Sequence, residues 1–238
     1  MNEDKLNAIS VFSGIGGFEL ALSEYCRTML YCEKDKHAQG ILLSRMVEGK
    51  IDCAPICTDI REITAEFIDI PIDIIFGGFP CQDISVAGNG RGLEGKRSGL
   101  FFEIVRLAKE IKPTFLFLEN VPAIRTRGLD RVIQELTEVG YDCRWSMLSA
   151  AEVGANHKRE RWFLLAYSNR SQLERRRLSG RRKKKISNTG LASWWEVEPH
   201  VGRMADEFPF RMDRLKRLGN AVVPLQAKTA FEYLMGIK

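Results

Sequence analysis

No uninterrupted apolar run in the 238 residues approaches the roughly 18 needed to cross a bilayer, which excludes a membrane-spanning helix. The opening Met1-Asn2-Glu3-Asp4 lacks the basic-then-apolar layout of a secretory leader, and a cytoplasmic protein is expected. Histidines are scarce, three in all, and no second CxxC or HxxxH pair accompanies Cys53 and Cys57. A four-ligand zinc site therefore has no ligand set, and no metal is expected. Without a leader, the six cysteines (Cys26, Cys32, Cys53, Cys57, Cys81 and Cys143) read as reduced thiols, most of them small core residues. There is no internal repeat and no collagen or coiled-coil pattern.

What remains is an ordinary globular balance, 45% hydrophobic and 28% charged, in a chain long enough to bury a substantial core. At roughly 100–200 residues per domain it should hold one large domain and a small appendage. The net charge of +5 is unevenly placed. Residues 170–185 carry nine basic side chains and one acid, Glu174, a local excess of +8 that leaves −3 on the rest. A compact basic segment on a mildly acidic body suggests a polyanion partner; a solvated loop would look the same from charge alone.

Apolar runs alternate with amphipathic stretches as far as residue 167. Strands are expected at 8–12, 28–33, 56–57, 72–76 and 114–118, with a closing pair at 143–148 and 162–167. Helices are expected after the first strand through Leu20 to Tyr25, around Ala38 to Met46, briefly around Ile63 and Phe67, and over 102–111, 132–139 and 225–235. Strand and helix alternating in this way predicts an α/β fold with a parallel sheet covered on both faces. Residues 77–97 break the rhythm with six glycines, and so long a loop inside a compact domain is usually functional. The organisation expected is a large domain over 1–167, a short basic region over 168–210, and a segment over 211–238 that packs back on the large domain.

Three strand ends carry candidate chemistry. The first opens into Phe12-Ser13-Gly14-Ile15-Gly16-Gly17, where glycines at a strand-to-helix turn let backbone approach a ligand. Glu19 holds the third glycine position of the dinucleotide fingerprint, and an acid there would repel a pyrophosphate. A phosphate-free cofactor fits better, and S-adenosylmethionine is one. Glu33 is placed to accept from ribose hydroxyls, and Asp59-Ile60 to hold a purine amine and its face. The fourth strand opens into Gly77-Gly78-Phe79-Pro80-Cys81-Gln82-Asp83-Ile84-Ser85, which places Cys81 as a nucleophile in the ligand crevice. The next ends in Leu118-Glu119-Asn120-Val121-Pro122, so that Cys81 and Glu119 should face one cleft.

Pro80-Cys81-Gln82 together with Glu119-Asn120-Val121 resembles the DNA (cytosine-5) methyltransferase family, in its small bacterial or phage form. Further matches fall in the family's order: the glycine turn, Glu33, Gly92-Leu93 with Arg97-Ser98-Gly99-Leu100, His157-Lys158-Arg159-Glu160-Arg161, and Leu218-Gly219-Asn220-Ala221-Val222-Val223-Pro224. The resemblance spans nearly the whole chain except 168–191. It departs from the family at His157, where glutamine is common, and in a target-recognition region far shorter than usual.

The resemblance implies a Rossmann-like S-adenosylmethionine-dependent methyltransferase fold with a reduced recognition region. It also implies a monomeric enzyme acting on double-stranded DNA, of the kind found in restriction-modification systems. Phe12, Gly14, Gly16, Gly17, Glu33, Asp59, Ile60, Phe79, Asn220 and Val222 would bind the cofactor. Gln82, Ser85, Arg97, Arg176, Arg181, Lys183, Lys184 and Lys185 would bind DNA.

Chemistry gives these residue types a reason. Cytosine C5 is a poor nucleophile until a thiolate adds at C6, and Cys81 is the candidate thiolate. Protonated Glu119 would donate to N3 while Arg161 or Arg159 holds O2. The base must leave the stack for C6 to be reached. Rival readings are the same chemistry on tRNA, a catalytically silent DNA-binding protein, and a nicotinamide oxidoreductase. The last is disfavoured by Glu19 and leaves the cysteine loop unexplained.

Overall fold

The computed structural model describes residues 5–80, 99–168 and 221–237. Seven strands form one sheet: β1 (Leu6–Val11), β2 (Cys26–Cys32), β3 (Ile56–Cys57), β4 (Ile74–Gly78), β5 (Phe115–Asn120), β6 (Tyr141–Ser149) and β7 (Glu160–Ser168), in the order β3-β2-β1-β4-β5-β7-β6. The helices are α1 (Gly17–Leu22), α2 (Lys36–Val47), α3 (Leu100–Ile111), α4 (Ile124–Arg127), α5 (Leu129–Glu138) and α6 (Pro224–Met235).

Successive side chains on a strand point to opposite faces, and both faces here are apolar because both are covered. Ile9, Val11, Ile75, Leu116, Leu118, Trp162 and Leu164 pack with α3 and α5. Ala8, Ile74, Phe76, Phe115, Phe117, Phe163 and Leu165 pack with α1 and α6. Phe117 is the hub of the second layer. Its ring stacks on Phe163 at 5.8 Å and meets Phe18 of α1 and Phe231 of α6 edge-on at 5.7 and 5.2 Å. The C-terminal helix is thereby fixed on the sheet beside the first helix of the chain.

The expected parallel sheet is present in β1 to β5, and the closing pair makes the whole sheet a mixed one. β1 to β5 are parallel, but β7 runs antiparallel to both β5 and β6. The reason lies in the connection. Antiparallel neighbours can be joined by a short link, whereas a parallel return needs a crossover, and only residues 150–159 separate β6 from β7. The short helix expected around Ile63 and Phe67 is two 3-10 turns, Ile60–Glu62 and Ala65–Phe67. α4, a single turn, is too short to show a period and was not expected. β4 continues through both glycines, where a loop was expected to open. A Cβ at residue 77 would lie 1.9 Å from the Val11 carbonyl oxygen, so only glycine lets β4 lie this close to β1. Among the described residues no helix is long and apolar enough to cross a membrane.

Phe117→Ala should cost about 3–5 kcal/mol, since it empties a fully buried aromatic site that three other rings share. Urea unfolding checks this as a lower midpoint at unchanged slope.

Candidate active site

A cleft of about 540 Å³ opens at the carboxyl ends of the parallel strands. Its floor is the turn after β1. Phe12, Gly14 and Gly16 take φ of 53°, 56° and 86°, which turns the chain sharply into α1. The Gly14 amide donates to Glu33 Oε2 at 2.7 Å, and Glu33 Oε1 accepts from the Asp35 amide at 2.8 Å. Asp35 in turn caps α2 through the amides of His37 and Ala38, both at 2.9 Å. One carboxylate thus joins the glycine turn to the start of the next helix, and its remaining lone pairs face the cleft.

Of the residues expected at the cofactor, Phe12, Gly14, Gly17, Glu33, Asp59, Ile60 and Val222 line this cleft. Gly17 does so because Val222 lies against it; a Cβ there would be 2.8 Å from the valine side chain. Gly16, Phe79 and Asp59 each have further surroundings. Gly16 is not on the wall, since its missing Cβ leaves room for Leu42, Ile51 and Arg45 behind the turn. Phe79 is 3% exposed with its ring 5.3 Å from that of Phe101, so core packing claims the side chain expected at the ligand. Asp59 lines the cleft, but its carboxylate is already used. It accepts from the Arg61 amide at 3.1 Å and Nε at 2.9 Å, and this pairing holds it well below the usual carboxylate range. It also caps the 3-10 turn Ile60–Glu62.

Glu19 also differs from expectation. It is 4% exposed, on the buried side of α1, and does not line the cleft. Burial raises its carboxyl to about 7, against the lowering influence of the Ser10 hydroxyl and the Arg45 guanidinium. What disfavours a pyrophosphate at the turn is Glu33, whose carboxylate already occupies the Gly14 amide.

On the opposite wall β5 presents Glu119. Its Oε1 lies 2.8 Å from Arg161 Nε on β7, with side-chain exposures of 15% and 17%. Antiparallel register puts the two on one face: Glu119 pairs with Phe163, and Arg161 is two residues earlier on β7. Room for the carboxyl comes from Gly78, directly opposite on β4, where a Cβ would be 2.6 Å from Glu119 Oε2. Burial raises the Glu119 carboxyl above its ordinary value, while Arg161 and then Arg159 pull it down. Arg159 takes a φ of 22° and donates from Nη2 to the Ala221 carbonyl at 2.7 Å. Gly78, Pro80, Glu119 and Ala221 all line the cleft, so the carboxyl and the glycine turn face one space.

Asn120, fully buried at the end of β5, was read only as part of a motif. Its side chain donates to the Phe79 carbonyl at 3.4 Å and accepts from the Val121 amide at 2.8 Å, tying the two strand ends together. Cys81, Gln82, Ser85, Arg97, Arg176, Arg181, Lys183, Lys184, Lys185 and Asn220 lie outside the described residues, as does the region 168–210 apart from Ser168.

A cleft at the carboxyl edge of a seven-stranded sheet, with a glycine turn facing a buried glutamate-arginine pair, is the arrangement of a methyltransferase of the α/β class. The sequence model of the family described as C-5 cytosine-specific DNA methylase matches residues 6–221, and the chain belongs to that family. Type II methyltransferase M.CviJI of Paramecium bursaria Chlorella virus IL3A is 33% identical over 225 residues, covering 94% of this chain and 58% of that protein. Type II methyltransferase M.HhaI of Haemophilus parahaemolyticus is 35% identical over 173 residues, covering 69% of this chain and 50% of its own. The chain therefore spans about half the length of the curated relatives it matches. In fold it is similar to Spodoptera frugiperda DNMT2, with a TM-score of 0.58 at 19% identity, covering 71% of this chain and 51% of that one.

Glu19 gives the site a pH-dependent stability. Its folded value, about 7, lies above the ordinary 4.5, so its contribution is fully present below about pH 4.5 and is lost as pH rises through 7. Glu19→Gln should remove that loss. The variant should be more stable than the unmutated chain by up to about 3 kcal/mol at pH 8, with the difference vanishing near pH 4. Urea titrations at the two pH values measure it.

Proposed function

We propose that the chain transfers a methyl group from S-adenosylmethionine to C5 of cytosine in duplex DNA. The observation that carries this reading is the partly buried Glu119–Arg161 pair at 2.8 Å, facing the glycine turn across one cleft. A carboxyl pushed up by burial is suited to donate a proton rather than to accept one.

The residues of the cleft fit a phosphate-free nucleoside cofactor. Glu33 offers acceptors where ribose hydroxyls would lie, and it sets a negative charge at the turn where a pyrophosphate would have to sit. Ile60, 2% exposed, offers an apolar surface beside it. S-adenosylmethionine, when bound, supplies an electrophilic methyl group on a sulfonium.

The work of the chain is to make cytosine nucleophilic. The Cys81 thiolate adds its electron pair to C6, and the ring electrons pass towards N3 and O2. Glu119 donates its proton to N3, and Arg161 both orients Glu119 and stabilises charge on O2. The enamine carbon C5 can then take the methyl group. A base, water in the cleft or a side chain, then takes the C5 proton, the bonding pair expels the Cys81 thiolate from C6, and N3 returns its proton to Glu119, which restores the aromatic ring and the enzyme. Because C6 is closed off in a stacked duplex, the cytosine must be flipped out of the helix, and Gln82, Ser85 and Arg97 are the candidates to hold the opened DNA. The basic segment, with Arg176, Arg181 and Lys183 to Lys185, supplies phosphate contacts and candidate guanine readers.

Transfer of labelled methyl from S-adenosylmethionine to DNA and to tRNA tests the reading; labelling of tRNA alone would replace the substrate and keep the chemistry. S-adenosylmethionine should raise the melting temperature and NAD should not. Cys81→Ala should abolish transfer, and only the unmutated protein should form a covalent adduct with DNA carrying 5-fluorocytosine. Glu119→Gln should slow transfer by about 10²–10⁴-fold, the usual worth of a positioned acid. Normal turnover by either variant overturns the mechanism.

The basic segment is checked by salt. Replacing Lys183, Lys184 and Lys185 with alanine should flatten log affinity against log salt by up to about 3 units, at every sequence alike.

A further inference from the structure

Gln226 lies in the first turn of α6 and is fully buried; of the other buried residues on this helix, Ala227, Ala230, Phe231 and Leu234 are packing residues and Glu232 accepts from the Tyr25 hydroxyl. A primary amide in such a place is costly unless it is hydrogen-bonded. Its Nε2 donates twice, to the Leu148 carbonyl at 2.7 Å and to the Arg159 carbonyl at 2.9 Å. Both partners are acceptors, which fixes the nitrogen towards them, and Oε1 finds no partner among the described residues. The side chain therefore serves as a donor alone.

Its two partners stand where the ladder between β6 and β7 ends, Leu148 being the register partner of Arg161. Arg159 is two residues before Arg161, with a φ of 22° that side-chain-bearing residues rarely adopt and that persists only where the surroundings impose it. The surroundings here are specific. Gln226 and the Ala150 amide, the latter at 3.3 Å, both donate to the Arg159 carbonyl, and the Arg159 guanidinium donates back to the carbonyl of Ala221. The bonds cross: a side chain of the C-terminal segment holds the backbone of Arg159, and the side chain of Arg159 holds the backbone of that segment. Between Ala221 and Gln226 lies Val222, seated on Gly17.

We infer that Gln226 is a positioning residue for methyl transfer: its two donated bonds lock the Arg159 turn, and thereby set Arg161 against Glu119 and Val222 against the cofactor turn in one piece. This rests on the catalytic roles proposed above for Glu119 and Arg161. Gln226 touches neither substrate nor cofactor, and it acts through the arginines.

Two variants of the full chain separate positioning from packing. Gln226→Met fills the same space without a donor. Gln226→Glu keeps shape and length but can donate only when the introduced carboxyl is protonated. Gln226→Met should lower single-turnover transfer at saturating S-adenosylmethionine by about tenfold or more, measured well below its own melting temperature. For Gln226→Glu, the rate relative to the unmutated chain should recover as pH falls from about 8.5 to about 6, where a buried carboxyl takes up its proton. A side chain that only packs would give no such recovery.

The idea is overturned if Gln226→Met keeps more than about a third of the rate, well short of the loss expected from misplacement. It is equally overturned if the loss merely follows the folded fraction, or if the Gln226→Glu ratio is flat with pH. Should Gln226→Met fail to fold, the ratio decides alone. Failure of the functional reading would be seen separately, as no transfer by the unmutated chain to any nucleic acid. In that event, titration of the Glu119 carboxyl by NMR tests the lock: Gln226→Met should move its midpoint upward as Arg161 loosens, and an unmoved midpoint refutes it.

Discussion

A carboxyl kept out of water beside two guanidinium groups is the constraint around which the cleft is built. Desolvation favours its neutral form and the arginines its charged form, and for Glu119 desolvation is the larger influence. Such a balance holds only if the geometry is fixed, because a small retreat of either arginine or a little added water would tip it. Each neighbouring element serves that fixity. Gly78 gives the carboxyl its space, the antiparallel register of β5 and β7 brings Arg161 to the same face, and Asn120 ties the strand end to the backbone of Phe79.

The switch from parallel to antiparallel pairing is what makes the constellation possible. With β1 to β5 parallel, every carboxyl end arrives at one edge and every amino end at the other. β7 reverses this, so its start meets the end of β5. A parallel strand in that place would bring its carboxyl end there instead, and the residues preceding it, among them Arg159 and Arg161, would lie at the far side of the sheet. The short link between β6 and β7 is thus a condition of the chemistry as well as of the topology.

Much of this was legible in the order of residues. Apolar runs bounded by glycine and acid located most of the strands to within a few residues, because a strand buried on both faces has few ways to be polar. The strand ends gave the site, since function sits at the carboxyl edge of such sheets. What the sequence left hidden was orientation. Gly16 and Gly17 are adjacent and chemically identical, yet one opens space behind the turn and the other accommodates Val222. Phe79 entered through the resemblance alone, and nothing local announced that its ring would pack on Phe101. Glu19 looked like a charge facing a ligand, and a helix turn carries it under the sheet instead. Asp59 was correctly placed on the wall, although nothing local announced that Arg61, two residues on, would occupy it. Gln226 gave one faint signal, a lone amide among alanines and a phenylalanine.

Contact between Gly17 and Val222 joins residues some two hundred positions apart, and it closes one wall of the cleft. A ribosome emits the glycine turn early and the valine very late. Strands β1 to β5 can pair as they emerge, since each crossover is local, but α6 has no counterpart that could stand in for it while it is still in the exit tunnel. A chain still being synthesised therefore carries a sheet and a half-built cavity, and the wall that Val222 completes is added only when the segment leading into α6 has emerged.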